Sequence, residues 1–190
     1  MRKLLHAEIP RVPLSEISSI PRHPFVVVLD QIRSVHNTGS IFRTSDAMLV
    51  DHLYLTGITA TPDSHPEIQK TALGAQDTVP WTYAEDPTEV IQGLKARGYT
   101  ICALEITDTP KSIEALSAAD FPLCLIVGHE VYGVSDTLIA LCDFALEIPQ
   151  YGIKQSLNVS VAYGIAAYGI IQRIRQTQTT NTHSVHKSFE

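Results

Sequence analysis

The run "PLCLIVG", Pro122–Gly128, decides the fold class. No polar residue interrupts it between the proline and the glycine. A strand with one wet face alternates polar and apolar residues, so an unbroken apolar run reads as a strand covered on both sides, as in a parallel sheet. The same signature recurs outward from it: "YTICALE" (Tyr99–Glu105) and "FVVVL" (Phe25–Leu29) upstream, "FALEIP" (Phe144–Pro149) downstream, with "HLYLTG" (His52–Gly57) and "VPWTY" (Val79–Tyr83) as further strands. Between them the spacing predicts helices over Thr38 to Val50 and Pro87 to Arg97, helices starting at Ser112 and Ser135, and a last helix from Leu157 to about Arg175. Strands alternating with helices give an α/β class: a mostly parallel sheet with helices on both faces.

At 190 residues the chain is one domain of ordinary size, able to bury about two thirds of its unfolded surface. Residues 1–23, with Pro10, Pro13 and Pro21, read as an extended basic arm with one helical turn near Leu14 to Ser19. Residues 24–175 form the domain, and residues 176–190, polar and aperiodic, read as a disordered tail. The cysteines, Cys102, Cys124 and Cys142, are odd in number and lie in apolar surroundings, which suits reduced thiols and a cytoplasmic protein. No metal is expected, because neither the cysteines nor the eight histidines fall into a metal-ligand spacing. No segment approaches the roughly 20 apolar residues of a membrane span, and the start "MRKLLHAEIP" is too short in apolar residues for a secretory signal.

Net charge is −6, which argues against a sequence-blind nucleic-acid binder. Its distribution is uneven. Residues 1–43 hold Arg2, Lys3, Arg11, Arg22, Arg33 and Arg43 against Glu8, Glu16 and Asp30, a sum of +3, which leaves −9 on the rest. A polyanion should therefore meet the N-terminal part; the bland alternative is a solvated arm with incidental charge.

Three segments at strand ends carry chemistry, because an α/β sheet binds ligands beyond the carboxyl ends of its strands. In "SVHNTGSIFRTSDA" (Ser34–Ala47), Asn37 can cap the helix, and Gly39, Arg43 and Ala47 recur at i, i+4, i+8, leaving Arg43 open to a bulky partner; the alternative is a capped surface helix with an Arg43–Asp46 ion pair. In "LIVGHEVYGVSD" (Leu125–Asp136), Gly128 and Gly133 flank Glu130 in a spacing that is neither a phosphate loop nor a dinucleotide fingerprint. A neutral or cationic ligand beside Glu130 fits it better than a phosphate; a turn that merely ends a strand is the other reading. In "IPQYGIKQSLNVSVAYGI" (Ile148–Ile165), Ser156 can cap the last helix, while Asn158 must find partners, since a buried unpaired amide costs about 1–3 kcal/mol. That helix is apolar almost all round to Ile171, so it lies either deep in its own domain or against a second copy.

Together and in this order the segments resemble the three motifs of the SpoU/TrmH-type RNA 2′-O-ribose methyltransferases of the SPOUT superfamily. Asn37-x-Gly39-x-x-x-Arg43 is similar to motif 1, Gly128-x-Glu130-x-x-Gly133 to motif 2, and Ser156-Leu157-Asn158-Val159-Ser160 with Ala162 to motif 3. The resemblance spans roughly Phe25 to Arg173. It implies a deep C-terminal trefoil knot, against the general rule of unknotted chains, and a homodimer through the knot region. It implies S-adenosylmethionine held by Leu104, Glu105, Gly128, Ile148, Gln150, Tyr151 and Leu157, and methyl transfer to a ribose 2′-hydroxyl of tRNA or rRNA. Arg43, with Asn37 beside it, would meet ribose and phosphate, and Glu130, Ser156 and Asn158 would hold the site together. His129 stands where the family commonly has Asn or Thr, and Gln150 where Met is usual. The alternative is a non-catalytic RNA-binding or assembly factor with the same fold.

Overall fold

Strand β1, His23–Asp30, is buried from Phe25 to Asp30, and its side chains divide between two cores. Val27 and Leu29 point to one face of the sheet, Val26 and Val28 to the other. This double burial is why the sequence shows no alternation. A computed structural model describes residues 1–10 and 12–185. Six strands, β1, β2 (Val50–Thr56), β3 (Trp81–Ala84), β4 (Thr100–Leu104), β5 (Leu123–Val127) and β6 (Phe144–Leu146), form one sheet in the order β3-β2-β1-β5-β4-β6. Every adjacent pair is parallel.

Helices α1 (Val35–Ala47) and α5 (Val159–Val185) cover one face, where Ile41, Phe42, Tyr163, Ala166 and Ile170 join Leu53, Leu55 and Leu125. Helices α3 (Pro87–Ala96) and α4 (Asp136–Ile139) cover the other with Ile91, Leu94 and Leu138 against Cys124 and Ile126. The two helical layers are joined to the sheet mainly by burial; at the edge, Lys95 of α3 lies 3.5 Å from Asp143, just ahead of β6. One polar link lies inside: Ser45 donates to the Ile41 carbonyl at 2.7 Å, so the Tyr163 hydroxyl, 2.7 Å away, is the donor to Ser45. The thiols of Cys102 and Cys124 are free and fully buried, and desolvation pushes both up. Among the described residues no helix is long and apolar enough to cross a membrane, and no group of three or more His, Cys, Asp or Glu could hold a metal.

The chain departs from the sequence reading at several places. Helix α1 starts at Val35, three residues early, because Ser34, not Asn37, is its N-cap and accepts from the Asn37 N–H at 3.3 Å. Between Ser112 and β5 there is no α-helix, only 3-10 turns at Ile113–Ala115 and Ala118–Asp120. Long-range bonds flatten this stretch into a strap: Lys111 pairs with Asp120 at 2.7 Å, and the Arg173 guanidinium donates to the Leu116 carbonyl at 2.6 and 3.0 Å. A short helix α2, Gln69–Ala72, follows a 3-10 turn at Pro66–Ile68 and packs on α1; the sequence reading had no element there. A Cβ on Gly39 would come within 2.1 Å of Thr71 Oγ1, so Gly39 serves this contact and not the access to Arg43 that its spacing suggested. Finally, α5 runs to Val185, ten residues past Arg175 into the stretch read as a disordered tail. Residues 176–185 contain no Gly or Pro, and elongating an existing helix needs none of the nucleation cost of starting one. Residues 186–190 of that expected tail lie outside the described residues.

The arm contains 3-10 turns at His6–Glu8 and Leu14–Ser19. Arg22 ends it, donating to the Val50 carbonyl at 2.8 Å and the Thr78 carbonyl at 2.6 Å.

Candidate active site

The loop after β5 doubles back on itself. A Cβ on Gly128 would stand 2.2 Å from the Gly133 carbonyl carbon and the Val134 nitrogen, so only glycine allows the close approach. The return is closed by His129 N–H to Gly133 O at 3.0 Å and Gly133 N–H to His129 O at 2.9 Å, with Gly133 at φ +69°. Glu105, at the end of β4, fixes both flanks of the neighbouring crevice by accepting from the Ile106 N–H at 2.9 Å and the Val134 N–H at 3.1 Å.

Glu130 at the loop tip reaches the β1–α1 connection. Its carboxylate accepts from the Arg33 N–H (3.0 Å), the Ser34 N–H (2.9 Å) and the Asn37 side-chain amide (2.8 Å). Burial alone would raise this carboxyl, but the bonds from Asn37 and the backbone N–H groups outweigh it and hold Glu130 below the usual carboxylate range. Asn37 then accepts from the Asn158 amide at 3.1 Å. Asn158 in turn caps α5: its Oδ1 accepts from the Ser160 N–H (2.9 Å), the Ser160 hydroxyl (2.7 Å) and the Val161 N–H (3.4 Å). The cap is therefore Asn158, not Ser156, because α5 begins at Val159, too far downstream for Ser156 to reach its first free N–H groups. The chain Glu130–Asn37–Asn158–Ser160 ties together the three segments singled out in the sequence.

Beside this chain lies a crevice of about 520 Å³ at the carboxyl ends of β4, β5 and β6. Of the residues expected at the site, Leu104, Glu105, Gly128, Glu130, Ile148, Gln150, Ser156, Leu157 and Asn158 line it. Three do not. Asn37 stands behind the wall through its bonds to Glu130 and Asn158. Tyr151 is 95% exposed and outside the lining. Arg43 is exposed on α1, also outside the lining, and the ion pair with Asp46 offered as the alternative reading is not formed; Asp46 accepts from the Thr78 hydroxyl. The sequence reading missed Glu147 in the lining and Ser34 as the α1 cap; the spacing Ser34-x-x-Asn37 at a helix start was the available signal for the latter. Glu105, Glu130 and Glu147 line the crevice and no Lys or Arg does, so it favours a cation and disfavours a phosphate.

A parallel α/β domain with a carboxylate-lined crevice at its strand ends defines a ligand-binding scaffold. The chain belongs to the SpoU rRNA Methylase family, whose model matches residues 24–168. A TrmH-family relative from Staphylococcus haemolyticus is 33% identical over 156 residues, 80% of this chain and 59% of its own. The tRNA (guanosine(18)-2′-O)-methyltransferase of Aquifex aeolicus is 31% identical over 161 residues, 82% of this chain and 72% of its own. The chain thus spans under two thirds of the first of these relatives. Among solved structures, the A. aeolicus TrmH/SpoU tRNA modifying enzyme superposes with a TM-score of 0.76 at 28% identity, covering 87% of this chain and 82% of its own. The SpoU methyltransferase AviRb of Streptomyces viridochromogenes in complex with AdoMet gives 0.71 at 26% identity, covering 87% of this chain and 63% of its own.

Proposed function

We propose that this chain transfers a methyl group from S-adenosylmethionine to a ribose 2′-hydroxyl of tRNA or rRNA. The observation that carries the reading is the crevice itself: the second and third motif segments surround a space lined by three carboxylates and no Lys or Arg, and Asn37 of the first braces their wall through its bonds to Glu130 and Asn158. A sulfonium donor suits that lining. The family, the A. aeolicus relative and the AdoMet-bound AviRb neighbour support the same donor and the same acceptor chemistry.

Leu104, Gly128, Ile148, Gln150 and Leu157 would hold the cofactor, with Glu105 and Glu130 fixing the loops that grip it. The cofactor supplies a methyl group on positive sulfur, so the S–CH3 bond breaks as the O–CH3 bond forms and the hydroxyl proton leaves. Arg43 cannot take that proton, since a guanidinium is not deprotonated in proteins. Its role is to orient the RNA phosphate and stabilise charge developing on the ribose oxygen, with the phosphate or water accepting the proton.

Arg43 lies outside its own chain's crevice, which fits a site completed across a homodimer. The outward side of α5 supports that assembly: Val161, Ile165 and Tyr168 are 44–56% exposed along one stripe, while Gly164 beside them has open space around it. We further propose that the segment after β6 threads as a trefoil knot and that the protein works in the cytoplasm, as its three free thiols suggest.

Calorimetry tests the reading: S-adenosylhomocysteine should bind the purified protein, and Arg43→Ala should keep that binding while losing methyl transfer to RNA. Absence of binding at millimolar ligand defeats the proposal. Unchanged turnover in the variant removes Arg43 from the mechanism.

A further inference from the structure

The His129 ring stands in the crevice wall, and its Nδ1 accepts from the Val131 N–H at 3.0 Å and the Tyr132 N–H at 3.4 Å. The ring also lies against Tyr132, centroids 4.8 Å apart and planes inclined by 32°. A ring nitrogen accepts only when it carries no hydrogen, so this arrangement requires neutral imidazole with its hydrogen on Nε2. We propose that His129 is a positioning residue: its unprotonated Nδ1 latches the turn from Gly128 to Gly133 into the shape that lines the cofactor crevice.

The tip of the turn has few other means of keeping that shape. Its backbone is pinned at the base by the His129–Gly133 pair and Glu130 is tied to the β1–α1 connection, while Val131 and Tyr132 are 69% and 83% exposed and Tyr132 lies against the His129 ring itself. Without the imidazole, both N–H groups turn to water. That change costs the fold little, because the groups are already at the surface, but it frees the Val131–Tyr132 tip, of which Val131 lines the crevice. The predicted signature is a loss of ligand affinity without a matching loss of thermal stability.

Protonation acts in the same direction. An imidazolium presents N–H toward two backbone N–H groups, and the groups around it draw it elsewhere: Glu105 from the end of β4, Glu147 from beyond β6, and Glu130 on its own loop share the crevice, while Asp136 of α4 lines the adjoining cleft with Tyr132. Arg33 adds only its backbone N–H to Glu130. A charged ring would also compete with a cationic ligand for these carboxylates. Asparagine at this position offers a carbonyl oxygen to the N–H groups two and three residues on, in an Asx turn, and does not titrate.

The consequence for binding rests on the methyltransferase reading; the hydrogen bond itself does not. The test titrates S-adenosylhomocysteine into the full-length parent, His129→Asn and His129→Ala at about pH 8. Imidazole nitrogen NMR on the same proteins assigns the tautomer by the signal missing from His129→Asn. Expected are unprotonated Nδ1 in the parent, affinity about tenfold weaker in His129→Ala, the worth of one ordinary hydrogen bond, and parent-like affinity in His129→Asn. A parent-like His129→Ala, a His129→Asn as weak as His129→Ala, or a protonated Nδ1 overturns the proposal. A parent that binds nothing defeats the methyltransferase reading, and the tautomer alone then decides whether His129 holds the turn.

Discussion

Asn37 is committed at both ends of its amide, donating to Glu130 at 2.8 Å and accepting from Asn158 at 3.1 Å. Asn37→Asp keeps the shape but sets a second carboxylate against Glu130. Chemical denaturation should show it less stable than Asn37→Ala at neutral pH, because repulsion adds to the lost bond; equal stabilities would mean that the amide is not a working donor. Glu130 makes a complementary case. Its folded carboxyl titrates below its ordinary value near 4.5, so its contribution to stability is present above that value and disappears as pH falls through the lowered one. In Glu130→Gln one of the two backbone N–H groups, of Arg33 or Ser34, must face the new amide's own hydrogens. We expect a loss of about 1 kcal/mol at pH 7, shrinking once the parent's carboxyl protonates; a gap that stays constant on acidification would exclude the charge as its origin.

Helix α5 shows why some of this was legible and some was not. Its two inner glycines do different things: a Cβ on Gly169 would meet Ile113 at 2.7 Å, whereas a Cβ on Gly164 meets nothing within 4 Å. Gly169→Ala should therefore destabilise the chain. Gly164→Ala should raise the stability of a monomer by about 1 kcal/mol through helix propensity, but weaken a dimer packed on that face. Thermal unfolding at several protein concentrations separates the two, since only a dimer's midpoint depends on concentration. The strands could be read directly because Leu123 to Val127 are all fully buried, which leaves no polar position to confuse the pattern. The Asn37–Asn158 bond could not, since its partners are 121 residues apart and no local period encodes the distance. The stretch after Ser112 was misread for a related reason: its composition suits a helix, but Arg173 on α5 holds the Leu116 carbonyl and imposes a strap. Asn158 was recognised as needing partners, yet its capping role depended on where α5 begins, and element ends are the weakest part of any sequence reading.

At the scale of the whole molecule the question is how a chain of net charge −6 would engage the RNA of the proposed function. The basic N-terminal part is less available than its sequence charge implies. Arg2 is paired with Glu8 at 2.7 Å, and Arg22 is engaged by the Val50 and Thr78 carbonyls. Arg11 lies outside the described residues, which leaves Lys3, Arg33 and Arg43 among the described cations of residues 1–43. Each phosphate neutralised on a single strand contributes about −0.7 to the slope of log affinity against log salt. Three such contacts predict a slope of about −2 for one protomer and about −4 for a dimer that presents both sets to one RNA. Fluorescence anisotropy of a labelled RNA across a salt series measures it directly, and Arg43→Ala should reduce its magnitude by about 0.7 per protomer engaged. A slope much steeper than −4 would mean that the RNA is gripped through cations beyond the N-terminal part, such as the exposed Lys70 and Lys154.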